Sequence, residues 1–253
     1  MCGRYALSSE SYRKFLEFLK LGQSFPLPSR FNIAPLQPVA VIRLKGADRD
    51  QPILPDAPLP EKEAALMRWG LVPGWAKELK QGRPLINARR ETIADKPSFR
   101  GPFRRRRCLV PADGYYEWRN TGATRTPYFI HLPDREVFAF AGIWDVWMGP
   151  HGEDWLETVS IVTRPSHGIL KQLHPRMPVV LAPEDYDLWL RPSDPPDREI
   201  FACLSPIWEE RLMAYEVSRY VNNVRHEGPG CIAPVGTVER SESQLDLFSG
   251  GRR

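Results

Sequence analysis

Residues 137–144 read VFAFAGIW, eight apolar or small residues without a charge. A continuous run of that length, rich in aromatic and β-branched side chains, reads as a strand. Similar runs stand on either side: VAVIRL at 39–44, MRWGL at 67–71, CLVP at 108–111, GYYEW at 114–118 and PYFIH at 127–131 before it, and LETVSIVT at 156–163 after it. Twenty-six prolines and eighteen glycines punctuate them. Helical signals are few. Tyr12, Phe15, Leu16 and Leu19 recur at helical spacing behind a Ser8 or Ser9 cap, with Gly22 expected to end the run. Glu184 to Leu190 and Glu199 to Leu204 complete the set. Repeated βαβ units are therefore not expected, and the pattern predicts an α+β fold: a mainly antiparallel, curled, barrel-like sheet with a few flanking helices.

The chain has 253 residues, 42% of them hydrophobic, enough for a sizeable core. No interior linker divides it, and the composition turns polar near Val235, so a domain over 1–234 and a flexible tail over 235–253 are expected. There is no apolar run of about 18 residues and no basic-then-apolar leader, which argues against a membrane span or secretion and for a cytoplasmic protein. Cys2, Cys108, Cys203 and Cys231 lie far apart and form neither a CxxC pair nor a zinc spacing, so they are expected to be reduced, with no metal or cofactor. The net charge of +4 does not identify a nucleic-acid binder by itself. A monomer is expected.

Four stretches carry more polar chemistry than packing requires. The chain opens MCGRYAL, and removal of Met1 would leave Cys2 with a free α-amine beside its thiol. INARRET at 86–92 groups Asn87, Arg89, Arg90, Glu91 and Thr92, a pattern that a solvated loop also explains. GYYEW sets Glu117 in an aromatic strand, where it either faces water or needs a buried partner. LHPRMPVVL at 173–181 offers His174 and Arg176 just before an apolar strand; a structural histidine is the plainer reading there.

These pieces, with FNIAP at 31–35, MRWGLVPGWA at 67–76, RRCLVPADGYYEW at 106–118, FAFAGIWD at 138–145, SIVTRPS at 160–166 and VNNVRHEGPGCIAP at 221–234, resemble the SRAP family, the SOS response-associated peptidase domain. The order and spacing match over nearly the whole chain. The resemblance implies a sensor of abasic sites in single-stranded DNA that crosslinks itself to the lesion through its amino-terminal cysteine, closing a thiazolidine on the sugar aldehyde. It assigns Asn87 to orient Cys2, Glu117 to move protons during imine formation, and His174 to protonate the sugar oxygen and assist reversal. It places Arg4, Arg89 and Arg176 on phosphates, and Asn32, Pro35, Trp69, Trp75 and Trp118 at or near the strand. With reference pKa values of about 7.7 to 8.0 for the amine and about 8.5 for the thiol, both nucleophiles are expected to be available near neutral pH. The run Arg104 to Arg107 is as well explained by a solvated basic loop as by a wider electrostatic footprint.

In the tail, Gln244, Leu245, Leu247 and Phe248 belong to QLDLF, which resembles the pentapeptide that bacterial proteins use to dock on the replication sliding clamp. Two other functions stay open: a peptidase with Cys2 as nucleophile, acting on itself or on peptides, and a non-catalytic single-strand-binding adaptor. Strand cleavage by β-elimination is an expected side activity.

Overall fold

A computed structural model describes residues 2–22, 24–46, 58–79, 84–122, 124–193, 198–205 and 210–235. The tail motif at 244–248 lies outside the described residues. In chain order the strands are β1 (Tyr5–Leu7), β2 (Arg30–Ile33), β3 (Pro38–Leu44), β4 (Lys62–Trp69), β5 (Asn87–Arg89), β6 (Arg107–Ala112), β7 (Gly114–Asn120), β8 (Arg125–His131), β9 (Phe138–Trp147), β10 (Leu156–Pro165), β11 (Arg176–Pro178), β12 (Val180–Leu181) and β13 (Met213–Glu216). The helices are α1 (Ser9–Phe18), α2 (Pro97–Arg105), α3 (Tyr186–Leu190) and α4 (Arg198–Ala202). The fold is α+β, as the strand pattern predicts.

Two sheets result. In the larger, β10 pairs with β4, β4 with β3, β3 with β6, β6 with β9, and β9 returns to β10, closing a five-stranded barrel that leaves no open edge around the ring. The opening run VFAFAGIW supplies most of β9, whose ten residues are all buried because the strand is covered on both faces. Gly142 is required there: a Cβ at that position would stand 2.6 Å from Cys108 Sγ and 2.9 Å from Val110 Cγ2 on β6. The smaller sheet is antiparallel, in the order β13, β8, β7, β1, β2. Aromatic side chains join the two layers, with Tyr5 of β1 edge-on to Trp69 at 5.4 Å and to Phe140 at 5.9 Å, and Tyr115 of β7 meeting Phe140 at 5.9 Å. Burying such rings anchors the amino-terminal segment onto the barrel.

Several details depart from the sequence reading. β10 takes β4 and β5 as parallel neighbours, an exception in a mainly antiparallel fold. α1 has Ser8 as its cap, accepting from Ser11 N, but it ends before Gly22: Lys20 adopts a left-handed φ of 54° and Leu21 N donates back to Leu16 O at 2.9 Å. α2 was hidden by Gly101 and Pro102 within it. The run Arg104 to Arg107 is not one basic loop, because Arg107 is buried, stacks over Phe103 and Trp189, and donates to Trp189 O at 2.6 Å. Among the described residues, no helix is long and apolar enough to cross a membrane.

Candidate active site

The short β1 brings residues 2–4 alongside β7. Tyr5 pairs with Tyr115, and Tyr116 N donates to Arg4 O at 2.9 Å, so the chain before β1 runs beside the strand that carries Glu117. Cys2 is fully buried. Its carbonyl accepts from Asn87 Nδ2 at 2.8 Å, a bond across 85 positions of sequence. Asn87 is delivered by β5, which lies parallel to β10 with Asn87 opposite Ile161. Alternation along β5 puts Arg89 on the same face as Asn87 while Ala88 points into the core, and Arg89 is exposed.

Glu117 and His174 meet beside this segment, Glu117 Oε1 lying 4.0 Å from His174 Nδ1. Burial raises the Glu117 carboxyl to about 7, against the pull of the positively charged chain terminus and of Arg125. A carboxyl near 7 can both give and take a proton at neutral pH. His174 is held below its ordinary value, first by burial and then by the positive charges of the chain terminus, Arg125 and Arg176, which outweigh a supporting backbone bond to Arg176. Its Nδ1 lies 3.0 Å from Arg176 N and 2.9 Å from Arg176 O, so it accepts from the first when the ring carries its proton on Nε2 and donates to the second when Nδ1 is protonated.

The Cys2 thiol departs from the sequence expectation. Burial pushes it far above the usual thiol range, and the neighbouring Glu117 charge adds to the rise. A standing thiolate is thus disfavoured, and a base must take the proton as sulfur reacts.

A pocket of about 360 Å³ opens over these groups, lined by Gly3, Arg4, Glu117, Trp118, Arg125, His174 and Asn222. Trp118 forms one wall, fixed by its Nε1 donating to Asn222 Oδ1 at 2.7 Å. The structure brings Cys2, Asn87, Glu117, His174 and Trp118 together. Other predicted contacts are corrected. Trp69 is fully buried and donates from Nε1 to Ile86 O at 2.9 Å, so it is a core residue with no face for a strand. Asn32 is also fully buried: its Oδ1 accepts from Arg4 at 2.6 Å, and its Nδ2 donates to Asn223 O and His226 O at 2.9 and 2.8 Å, tying down the 221–226 segment. Arg4 stays in the pocket wall, largely buried, with its Nη1 donating to Asn32 Oδ1 and to Val221 O. Arg176 forks onto Glu91 at 3.0 and 3.2 Å and donates to Thr163 O at 2.7 Å, so its charge is matched within the protein. Trp75 is 64% exposed in a different groove, with Leu36, Pro84 and Leu85, and Pro35 is half-buried.

Arg125 and Asn222 were not found from the sequence. Asn222 lay inside a quoted motif without a role, and Arg125 sits in a hairpin with no local signal. Among the described residues, no group of three or more His, Cys, Asp or Glu side chains is arranged to hold a metal ion.

A family model described as SOS response associated peptidase (SRAP) matches residues 1–224. The chain is 35% identical over 237 residues to abasic site processing protein YoqW of Bacillus subtilis, across 92% of this chain and 99% of that one. It is 33% identical over 221 residues to abasic site processing protein HMCES of Gallus gallus, across 76% of this chain and 65% of that one. A crystal structure of a protein from Bacteroides thetaiotaomicron matches with a TM-score of 0.75 at 26% identity, covering 92% of this chain and 100% of that one.

Proposed function

Because the chain belongs to the SRAP family, we propose that it processes abasic sites in single-stranded DNA, capturing the lesion covalently through Cys2 after Met1 is removed. Its relatives YoqW and HMCES carry the name abasic site processing protein. The observation that carries the reading is the convergence on Cys2: Asn87 grips its carbonyl at 2.8 Å while Glu117 and His174 stand 4.0 Å apart beside it.

The chemistry follows from those groups. An abasic deoxyribose equilibrates with an open-chain aldehyde: the C1–O4 bond breaks, protonated His174 gives its proton to the ring oxygen, and the anomeric hydroxyl gives its proton to the Glu117 carboxylate, from which it returns to His174. The Cys2 amine adds to the aldehyde carbon, and loss of one water gives an imine. The thiol then adds to the same carbon: the C–S bond forms, the S–H proton passes to Glu117, and the imine nitrogen receives a proton in return. Glu117, with its carboxyl near 7, suits this transfer better than a free thiolate would. Closure is intramolecular, where effective molarities of about 10⁵ M or more are attainable, so the thiazolidine forms readily. Reversal uses the same groups in the opposite order. Where the thiol is missing the imine is not trapped, and β-elimination can cut the strand.

Arg89 is the exposed cation beside Asn87 suited to a phosphate, and Trp75 presents a face on which an unstacked base can lie, while Trp118 walls the pocket. On a denaturing gel with an abasic single-stranded oligonucleotide, the processed chain should give a covalent band. Cys2→Ala should bind the strand and give none; a covalent band from Cys2→Ala would refute the proposal, as would cleavage of added peptides with no DNA adduct.

The reading extends to the tail. QLDLF at 244–248 fits a clamp-docking peptide, which would raise the local concentration of the protein at replication forks. Retention of clamp binding by a Leu247→Ala, Phe248→Ala double variant would end that part.

A further inference from the structure

Arg125 opens β8 opposite Asn120 of β7, which puts it diagonal to Trp118 on the same face of the sheet. Long side chains reach across such diagonals, and the Arg125 guanidinium carbon stands 5.0 Å from the centroid of the Trp118 ring. Arg4 approaches the same ring at 5.6 Å, so two cations flank one tryptophan at the pocket. They face different ways. Arg4 is buried and hydrogen-bonded to Asn32 Oδ1 and Val221 O, while Arg125 is exposed and forms no salt bridge among the described residues. The charge of Arg125 also reaches inward, drawing down both Glu117 and His174.

We propose that Arg125, braced against Trp118, is the cation that holds a phosphodiester of the bound strand at the mouth of this pocket. The sequence reading put Arg4, Arg89 and Arg176 on phosphates; at this pocket Arg4 has its Nη1 already held by Asn32 Oδ1 and Val221 O, whereas Arg125 is exposed. A planar guanidinium is matched to the paired oxygens of a phosphate, and one already laid along an indole loses less freedom when it binds. Trp118 is itself held by a hydrogen bond to Asn222, which limits the freedom of the brace before a strand arrives. The proposal rests on the reading that a DNA strand binds at this pocket.

The test is equilibrium binding of an undamaged single-stranded oligonucleotide over a series of salt concentrations, using the full chain. Each phosphate neutralised on a single strand contributes about 0.7 to the slope of log affinity against log salt. Arg125→Ala should flatten that slope by about 0.7 and weaken binding about threefold to tenfold at low salt. Arg125→Lys should keep the slope, and Arg125→Glu should weaken binding beyond Arg125→Ala. An unchanged slope in Arg125→Ala, or a loss in Arg125→Lys as large as in Arg125→Ala, would overturn the proposal. Since the strand carries no lesion, the result is independent of crosslinking: a protein that binds strands through Arg125 yet makes no adduct with abasic DNA would refute the proposed chemistry and leave Arg125 in place.

Discussion

The Asn87 amide donates to the main-chain carbonyl of Cys2 at 2.8 Å, and its own Oδ1 is buried with no protein partner among the described residues. One half of the amide fixes the main chain at Cys2, and the other half is a buried acceptor left open. Asn87→Ala should therefore form adduct about tenfold to a hundredfold more slowly, the range set by losing a buried hydrogen bond and by misplacing the reacting groups. Single-turnover gel kinetics beside strand affinity checks this: the rate should fall while the dissociation constant changes little.

Glu117 links the site to stability. Its carboxyl lies near 7 in the folded protein against an ordinary 4.5, because burial disfavours the charge. Between those values the unfolded chain releases the proton and the folded chain keeps it, so the group's contribution to stability falls as pH rises from about 4.5 to 7 and levels off above. The full drop is about 3 kcal/mol. Glu117→Gln removes this titration, so its Tm should gain on the wild type between about pH 5 and pH 8. Thermal melts of both proteins across that range test it; parallel curves would contradict it.

His174 is held below its ordinary value by burial, so at pH 7 the imidazolium that protonates the sugar oxygen is the minor form and adduct formation should quicken as pH falls toward about 6. A positioned general acid contributes about 10² to 10⁴ in rate. His174→Ala should slow adduct formation and, by microscopic reversibility, adduct release. Transfer of a preformed adduct to an excess of competing abasic strand measures the second rate, and faster release in His174→Ala would exclude the assigned role.

Asn32 has a structural task. Its side chain joins Arg4 to the carbonyls of Asn223 and His226, and Asn32→Ala would remove these three hydrogen bonds, leaving Arg4 with Val221 O and Asn223 O with His226 N. At about 0.5 to 1.5 kcal/mol for each hydrogen bond lost, the variant should melt several degrees lower. Hydrogen exchange should locate the loss in residues 221–231; uniform loosening of the barrel would point to a different cause.

Much of the barrel was legible because its strands are continuous apolar runs, VFAFAGIW above all. The short strands were not. β1, β5 and β12 are two or three residues long and acquire their conformation only by pairing with distant strands. β4 starts earlier than its apolar run because Lys62–Leu66 reads as weakly strand-forming and is fixed by pairing with β3. Cys2, Asn87, Glu117 and His174 were identified through family resemblance, since nothing local ties positions 2, 87, 117 and 174 to one pocket. Trp69 and Trp75 show the limit well: six residues apart in one motif, one is fully buried and the other 64% exposed. That difference comes from where β4 leaves the barrel.

Intact mass spectrometry of the purified chain, before and after incubation with an abasic single-stranded oligonucleotide, reaches the chemistry of Cys2 most directly. The expected result is a chain lacking Met1 that gains the mass of the strand less one water, with the adduct mapping to Cys2 after proteolysis. A chain that retains Met1 or carries a blocked amino terminus and still forms the full adduct would contradict capture by the terminal aminothiol.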